Sequence, residues 1–296
     1  MSENKETPPV CSYEGSDYQK SFWEQGGRAY EDAVEAIALK RLLPPAGKLM
    51  LELGAGAGRN TLRYANFERV VLLDYSRTQL EQARKKLGDS KRYIYAAADV
   101  YQLPFVTGLF DAATMIRTLH HMAEPQMALQ SVGRVLAKGA VFILEFANKR
   151  NLKAVMRYML RKQDWNPFSR EAVEFAELNF DFHPKAIRQW LQEADFCIDR
   201  QLSVSHLRVG FLKRYMPLGL MVALDAALQW TGALAQYSPS VFTRAQMHGE
   251  APDIAPGTFF RCPACGEGLP EKQTDLTCPS CGSVWEYRDG IYDFRL

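Results

Sequence analysis

Short apolar runs alternate with amphipathic stretches through the first half of the chain. Leu49–Leu53, Val70–Asp74, Tyr93–Ala98, Phe110–Met115 and Ala140–Glu145 are largely continuous apolar segments of strand length. Between them, Ser76–Leu87 and Pro125–Leu136 carry helical spacing, and Ser76 with Gln79 three residues on fits a capping box. Residues 21–43 read as a further helix, stopped by Pro44-Pro45, after a loose arm over residues 1–20. Unbroken apolar strands alternating with helices predict a parallel sheet covered on both faces.

The rhythm changes after the fifth strand. Asn151–Lys162 is a periodic helix with Leu152, Val155, Met156, Met159 and Leu160 on one face, and Lys153, Arg157 and Arg161 lining another. Pro184–Ala194 predicts a helix, Cys197–Val204 a strand, Phe211–Ala235 a long apolar helical insert and Ser240–Gln246 a last strand. The apolar stretch Met216–Ala235 contains Pro217 and Asp225, so it reads as a buried or lid helix rather than a span. Glu250–Gly257 has linker composition.

Composition narrows the class. Of 296 residues, 47% are hydrophobic and 24% charged, values of a globular protein with a sizeable core. The net charge of +2 makes no global case for nucleic acid or an anionic membrane. Locally, Asn148–Arg170 holds seven basic residues against Asp164 alone. That stretch is either a solvated face or a basic cap over an anionic substrate, a membrane or nucleic acid. The polar first residues, MSENKETPPV, predict no secretory leader, and the expected location is cytoplasmic.

Four of the six cysteines form two matching knuckles, Cys262-Pro-Ala-Cys265-Gly and Cys278-Pro-Ser-Cys281-Gly. Four thiolates on paired tight turns suit a closed tetrahedral Zn2+ site, structural rather than catalytic; two disulfides are the alternative. From Thr258 on there are four basic and six acidic residues, a poor grip for phosphates.

The main chemical feature is Leu49-Met-Leu-Glu52-Leu-Gly54-Ala55-Gly56-Ala-Gly58-Arg59, a strand running into a glycine-rich turn and a helix. Such a turn lets a ligand approach the backbone, with N–H groups and the helix start facing it. A dinucleotide fingerprint places its third glycine at the sixth position, where this chain has Arg59. Asp74 ends the second strand, twenty residues after Gly54, where a carboxylate can accept hydrogen bonds from ribose hydroxyls or cap the next helix. Asp99-Val100 follows the third strand and suits an adenine, the acid taking the amino group and the apolar side chain covering the ring; a loop aspartate is the alternative.

These residues, together with Phe110-Asp-Ala-Ala113, Leu119-His120-His121 and Leu136-Ala-Lys-Gly139, make residues 22–146 resemble the class I S-adenosylmethionine-dependent methyltransferases. The variety is the group that includes the ubiquinone and menaquinone C-methyltransferases. The resemblance implies a doubly wound α/β fold with a seven-stranded, mostly parallel sheet and an antiparallel last strand. It implies S-adenosyl-L-methionine contacts at Glu52, Gly54, Ala55, Gly56 and Gly58 near the methionine end. Asp74 and Tyr75 would meet the ribose, Asp99 and Val100 the adenine, and Arg117 would edge the site. Tyr18–Tyr30 would close over the cofactor, with Arg28 reaching its carboxylate.

Candidate proton acceptors are His120 and His121 past the fourth strand and Glu145 at the end of the fifth, each with packing or hydrogen bonding as its alternative role. Aromatic residues such as Trp165, Phe175 and Trp230 enrich the inserts at 151–180 and 211–235. They suit either extra core packing or a bulky, lipid-like acceptor, with peripheral membrane contact.

The C-terminal segment resembles the zinc-ribbon activator subunit of tRNA and protein methyltransferases. That implies a ribbon that buttresses the domain, or one that contacts an RNA or protein substrate. The expected organisation is an arm and lid over 1–43, a methyltransferase domain over 44–249, a linker over 250–258 and a zinc ribbon over 259–296. A methyltransferase-fold scaffold without catalysis is the remaining alternative.

Overall fold

In the first strand, Leu49, Leu51 and Leu53 belong to one apolar core and Met50 to another, as alternation along a strand buried on both faces requires. The computed structural model describes residues 8–16, 23, 25–250 and 254–296. Its strands are β1 (Gly47–Leu53), β2 (Phe67–Asp74), β3 (Tyr93–Ala97), β4 (Phe110–Met115), β5 (Leu136–Ala147), β6 (Val173–Ala176), β7 (Asn179–Asp181), β8 (Phe196–Val204) and β9 (Ser240–Met247). The helices are α1 (Ala29–Leu42), α2 (Arg77–Leu87), α3 (Pro125–Val135), α4 (Leu152–Met159), α5 (Pro184–Glu193), α6 (Gly210–Tyr215) and α7 (Leu218–Leu228).

The C-terminal segment adds β10 (Phe260–Arg261), β11 (Gly268–Leu269), β12 (Leu276–Thr277), β13 (Val284–Arg288) and β14 (Ile291–Asp293). The main sheet runs β12-β13-β14-β3-β2-β1-β4-β5-β9-β8. β1 to β5 pair in parallel, and β9 runs antiparallel between β5 and β8. One core holds α1, α2 and Met221 of α7; the other holds α3, α5 and the aromatic residues of the C-terminal segment.

Seven strands, β3-β2-β1-β4-β5-β9-β8, form the expected mostly parallel sheet with its antiparallel last strand, and the C-terminal segment extends it to ten. β14 pairs in parallel with β3, Tyr292 opposite Ala96, and carries β13 and β12 with it. Phe260 packs against Phe105 at 5.8 Å, and Phe105 against Phe110 at 5.0 Å, so the C-terminal segment shares the core of the larger sheet.

Several local expectations are corrected. α1 begins at Ala29, because the Gly26-Gly27 pair occupies a turn, and glycine weakens a helix; residues 21, 22 and 24 lie outside the described ones. Residues 8–16 are not loose: Val10 bridges Met122, and Glu14 accepts the N–H groups of Arg77 (2.9 Å) and Thr78 (3.1 Å). Only half of the capping box forms. Ser76 caps Gln79, but the Gln79 side chain donates to the Ser16 carbonyl at 2.9 Å. The 211–235 insert divides at Pro217 into α6 and α7. α4 buries only Ala154, and the apolar positions Leu152, Met156, Met159 and Leu160 face outward.

Candidate active site

The glycine turn owes its shape to two residues. Gly54 has φ +64°, and a Cβ there would sit 2.1 Å from Thr118 Oγ1, so no other residue fits. Gly56 has φ +52° and donates its N–H to Asp74 Oδ2 at 2.8 Å, tying the turn to the end of β2. The other Asp74 oxygen accepts from Ser76 N at 2.9 Å. Burial pushes the Asp74 carboxyl up, and these N–H groups only partly offset it. At the end of β3, Asp99 Oδ1 accepts from Tyr101 N at 2.9 Å, and burial pushes its carboxyl up too.

Gly54, Ala55, Gly56, Asp74, Tyr75, Asp99, Val100 and Arg117 all border one cleft of about 910 Å³, part of it open to solvent. It lies beyond the carboxyl ends of β1 to β4, where parallel sheets bind ligands. The Gln79 side chain also lines it, and its Oε1 is buried without a hydrogen-bond partner among the described residues. Two partly satisfied acids at adjacent strand ends, a buried acceptor and a glycine turn suit a ligand with hydroxyl and amino donors and a close-lying chain. The residues therefore fit S-adenosylmethionine.

Other predicted site residues stand elsewhere. Glu52 lies outside the cleft lining, accepts from Thr61 Oγ1 at 2.6 Å, and is pushed up to about 7 by burial. Gly58 packs near Leu87 and Ala83 of α2. Arg28 pairs with Glu31 at 3.3 Å, because α1 carries an acidic face that gathers the nearby cations.

In that face Glu35 is fully buried between Arg59 (2.9 Å) and Arg117 Nε (2.7 Å). Burial raises its carboxyl, but the two guanidiniums outweigh this and hold it below the usual range. Arg117 takes φ +56°, with its N–H donated to Glu145 Oε2 at 2.8 Å. Glu145 also accepts from Ser240 Oγ and is not in the lining.

The two histidines differ. His121 is engaged at both nitrogens, with the Leu178 carbonyl (3.0 Å) and the Tyr13 hydroxyl (3.2 Å), so it joins the 173–181 hairpin to the N-terminal arm. His120, outside the cleft lining, packs on it at 4.0 Å with the rings tilted by 41° and leaves a buried Nδ1 without a partner among the described residues. Burial, with His121, Arg117 and Arg208 nearby, holds its imidazole well below the usual value, hence neutral.

Sequence reasoning missed the arm residues Val10, Cys11 and Tyr13 of the lining, whereas Trp23, also there, falls within the Tyr18–Tyr30 segment expected over the cofactor. Trp23 lies under the Arg59 guanidinium at 3.6 Å. An apolar trio after Pro8-Pro9 in an otherwise polar arm was the available sign. Outside the lining, Asp181 of β7 is a buried acid that sequence reasoning did not single out. Burial pushes it up to about 6, with Arg208 opposing and Glu145 adding to the rise, and its carboxylate accepts no hydrogen bond from the described residues.

At the far edge, the four sulfurs of Cys262, Cys265, Cys278 and Cys281 lie within 4.8 Å of one another. Cys262 to Cys281 is 3.7 Å and Cys265 to Cys278 is 3.5 Å. A tetrahedral ion with bonds of about 2.3 Å needs sulfurs roughly 3.8 Å apart, so the cluster fits zinc.

Comparison with known proteins agrees with this geometry. Residues 51–144 match the family described as a methyltransferase domain. The chain is 34% identical over 119 residues to the demethylmenaquinone methyltransferase of Clavibacter sepedonicus, covering 39% of this chain and 49% of that protein. It is 30% identical over 142 residues to the malonyl-[acyl-carrier protein] O-methyltransferase of Legionella pneumophila, covering 46% and 48%. The chain thus spans about half the length of the curated relatives it matches.

Its fold is similar to a chain of the complex between the Haloferax volcanii Trm112 methyltransferase activator and a methyltransferase. The TM-score is 0.56 at 16% identity, covering 78% of this chain and 96% of that one. It is also similar to an S-adenosylmethionine-dependent methyltransferase from Mesorhizobium loti, with TM-score 0.52, 16% identity, and coverage of 74% and 100%. The chain carries a class I S-adenosylmethionine-dependent methyltransferase domain.

Proposed function

We propose that the protein transfers a methyl group from S-adenosylmethionine to a small or lipid-like acceptor with an apolar or aromatic body. The observation that carries this reading is the convergence of Asp74, Asp99 and the Gly54–Gly56 turn on one cleft. On this reading residues 44–249 form the cofactor-binding domain, 1–43 its arm and lid, and 259–296 a ribbon joined through 250–258.

When bound, the cofactor supplies a methyl group activated on a sulfonium. Asp74 and Tyr75 hold its ribose, Asp99 takes the adenine amino group, and Val100 covers the ring. The residues do their work by placement, since holding two reactants in line supplies about 7–11 kcal/mol. For an acceptor that must lose a proton the candidate base is His120, which stands outside the lining next to His121 and has a neutral imidazole whose buried Nδ1 is free of partners among the described residues. Asp181, near Arg208 and Glu145, holds a polar group of the acceptor. Glu145 and His121 position Arg117 and the arm rather than react.

The named acceptors of relatives, a demethylmenaquinone and a malonyl-carrier protein, support a quinone-like or acyl-like substrate. The four cysteines hold a structural Zn2+, which suits a reducing, cytoplasmic setting. RNA or protein as acceptor is the second reading. The exposed Lys153, Arg157 and Arg161 favour it, and the acidic C-terminal segment weighs against it.

The deciding experiment supplies cofactor with a radiolabelled methyl group to the protein in host-cell extract and separates lipid, small-molecule, RNA and protein fractions. Label in the lipid or small-molecule fraction is expected. Label in RNA or protein alone overturns the first reading. A protein that fails to bind the cofactor overturns both and leaves a non-catalytic scaffold.

A further inference from the structure

Two inserts surround the end of the sheet that carries the cleft. Ser240 of β9 lies opposite Ala147 of β5 and Val204 of β8. Residues 148–182 and 205–239 therefore both leave the sheet at the carboxyl end of β5, the end where Asp74 and Asp99 stand. They are stitched together: Leu152 N donates to the Tyr237 carbonyl at 2.8 Å, and Asn148 Nδ2 donates to the carbonyls of Gln236 (3.1 Å) and Ser238 (2.8 Å).

Of the 21 large apolar side chains that stand exposed among the described residues, 16 lie in these two inserts. Met159 is 75% exposed, Phe211 69% and Leu234 94%. α7 is the extreme case. Its outward positions Leu218, Leu220, Leu224 and Leu228 are all apolar. Its one charged residue, Asp225, is buried and accepts from the Tyr30 hydroxyl and the His206 N–H, both at 2.7 Å. A helix that faces water carries polar residues on its outer side, and this one carries none.

Around α4, α6 and α7 the charges beside these side chains are cations, while Asp164, Glu171, Glu174 and Glu177 stand exposed further along the first insert. In 205–239 the charged residues besides buried Asp225 are Arg208, Lys213 and Arg214, of which Lys213 and Arg208 pair with Glu31 at 2.6 and 3.6 Å. On and after α4, Lys153, Arg157, Arg161 and Lys162 are exposed. α7 has 11 residues, about half the length needed to cross a bilayer, and no helix among the described residues is long and apolar enough to do so. Exposed apolar side chains flanked by cations, on helices too short to span, match the chemistry of a helix lying in the plane of an anionic lipid surface.

We propose that the two inserts form a docking face for a bilayer rich in anionic phospholipid, with Met159, Phe211 and Leu234 seated among the acyl chains and the basic side chains on the phosphates. Docking brings the mouth of the cleft to the bilayer, so the acceptor is an amphiphile taken from it. This last step rests on the methyl transfer proposed above; the docking itself does not.

The test is flotation of the full chain with vesicles of phosphatidylglycerol and phosphatidylcholine, against vesicles of phosphatidylcholine alone, at low and high salt. Binding to the anionic vesicles is expected, at least about tenfold above the neutral ones and weakened by salt. Met159→Glu and Phe211→Glu are each expected to lower it about tenfold, with melting temperature and S-adenosylmethionine affinity unchanged. Because both side chains are exposed, the fold does not depend on them.

Equal or absent binding to both vesicles overturns the proposal, as does bulk RNA that binds while vesicles do not. So does a dimer on gel filtration that Phe211→Glu dissolves, since a second copy would then cover the face. Protein that floats but does not bind the cofactor overturns the methyl-transfer reading and leaves docking standing. Protein that binds the cofactor but not vesicles does the reverse.

Discussion

Arg295 of the C-terminal segment donates through Nη1 to the carbonyl of Tyr75, 3.2 Å away, a residue that lines the cofactor cleft. The same nitrogen reaches Glu14 at 3.3 Å, and Asp293 of β14 fixes the guanidinium at 2.9 and 2.6 Å. Glu14 in turn caps the start of α2 and anchors the arm over the cleft. The C-terminal segment, the arm and the end of β2 therefore share one cation. Arg295→Ala is expected to weaken S-adenosylmethionine binding by about 1 kcal/mol, roughly fivefold, the scale of a partly exposed charge-assisted hydrogen bond. Calorimetric titration checks this, and an unchanged affinity would mean that the C-terminal segment does not shape the cleft.

Asp74 tests the placement of the ribose. Asp74→Ala is expected to raise the cofactor Kd by roughly 5- to 150-fold, about 1–3 kcal/mol, through lost charge-assisted hydrogen bonds. Its loss also frees Gly56 N–H, which loosens the turn. Asp74→Asn, which keeps one acceptor for that N–H, is expected to fall between the two. Wild-type affinity in Asp74→Ala sinks the ribose assignment.

How far the sequence reveals this molecule depends on the range of the interactions. β1 to β4 and the glycine turn follow from local apolar runs and from residues that need a left-handed backbone, and both are legible. Asp74 and Asp99 are legible because strand ends in a parallel sheet all point to one edge. Glu52 was not, since whether a strand-end acid faces a cleft or a buried Thr61 depends on the packing of residues 61–64. Arg28 was not, because Glu31 competes for it. Helical spacing of Leu152, Met156 and Met159 identifies the apolar stripe of α4 but not what it meets. The pairing of β14 with β3 joins residues nearly two hundred positions apart, and no periodicity encodes that.

Metal removal probes the C-terminal edge. Cys278→Ser is expected to release zinc and unfold the segment, because a unit this small seldom folds without its ion. Because Phe260, Trp285 and Phe294 share the larger core, the loss should also lower the melting temperature of the whole chain. Metal analysis and thermal melting read the two effects. Wild-type protein that is folded but metal-free refutes the zinc assignment.

Glu52 gives a pH dependence with a definite sign. Its ordinary value is 4.5, and burial raises it to about 7 in the folded chain. The fold therefore favours the protonated form. That contribution is full below about pH 4.5 and is lost as pH climbs through about 7, above which the buried carboxylate costs stability. Glu52→Gln keeps an acceptor for Thr61 and removes the charge. It is expected to match wild type near pH 4.5 and to be the more stable near pH 8, by an amount on the order of 3 kcal/mol at most. Melting curves across that range decide the point, and a pH-independent difference contradicts it.

The last prediction separates His120 from its neighbours. Its imidazole stays neutral through the physiological range, so a rate that depends on it should not inflect near the usual histidine value of 6.5. His120→Asn is expected to lower kcat by roughly 10²–10⁴-fold, the range of a lost general base, with cofactor affinity unchanged. His121→Asn removes the tie between Leu178 and Tyr13 and should act differently, weakening cofactor binding as the arm loosens. Asp181→Asn should raise KM for the acceptor and abolish any inflection near pH 6, because burial places that carboxyl at about 6. If His120→Asn turns over at the wild-type rate, the acceptor needs no base from this chain. The cleft would then work by positioning alone, which suits an acceptor already nucleophilic at neutral pH.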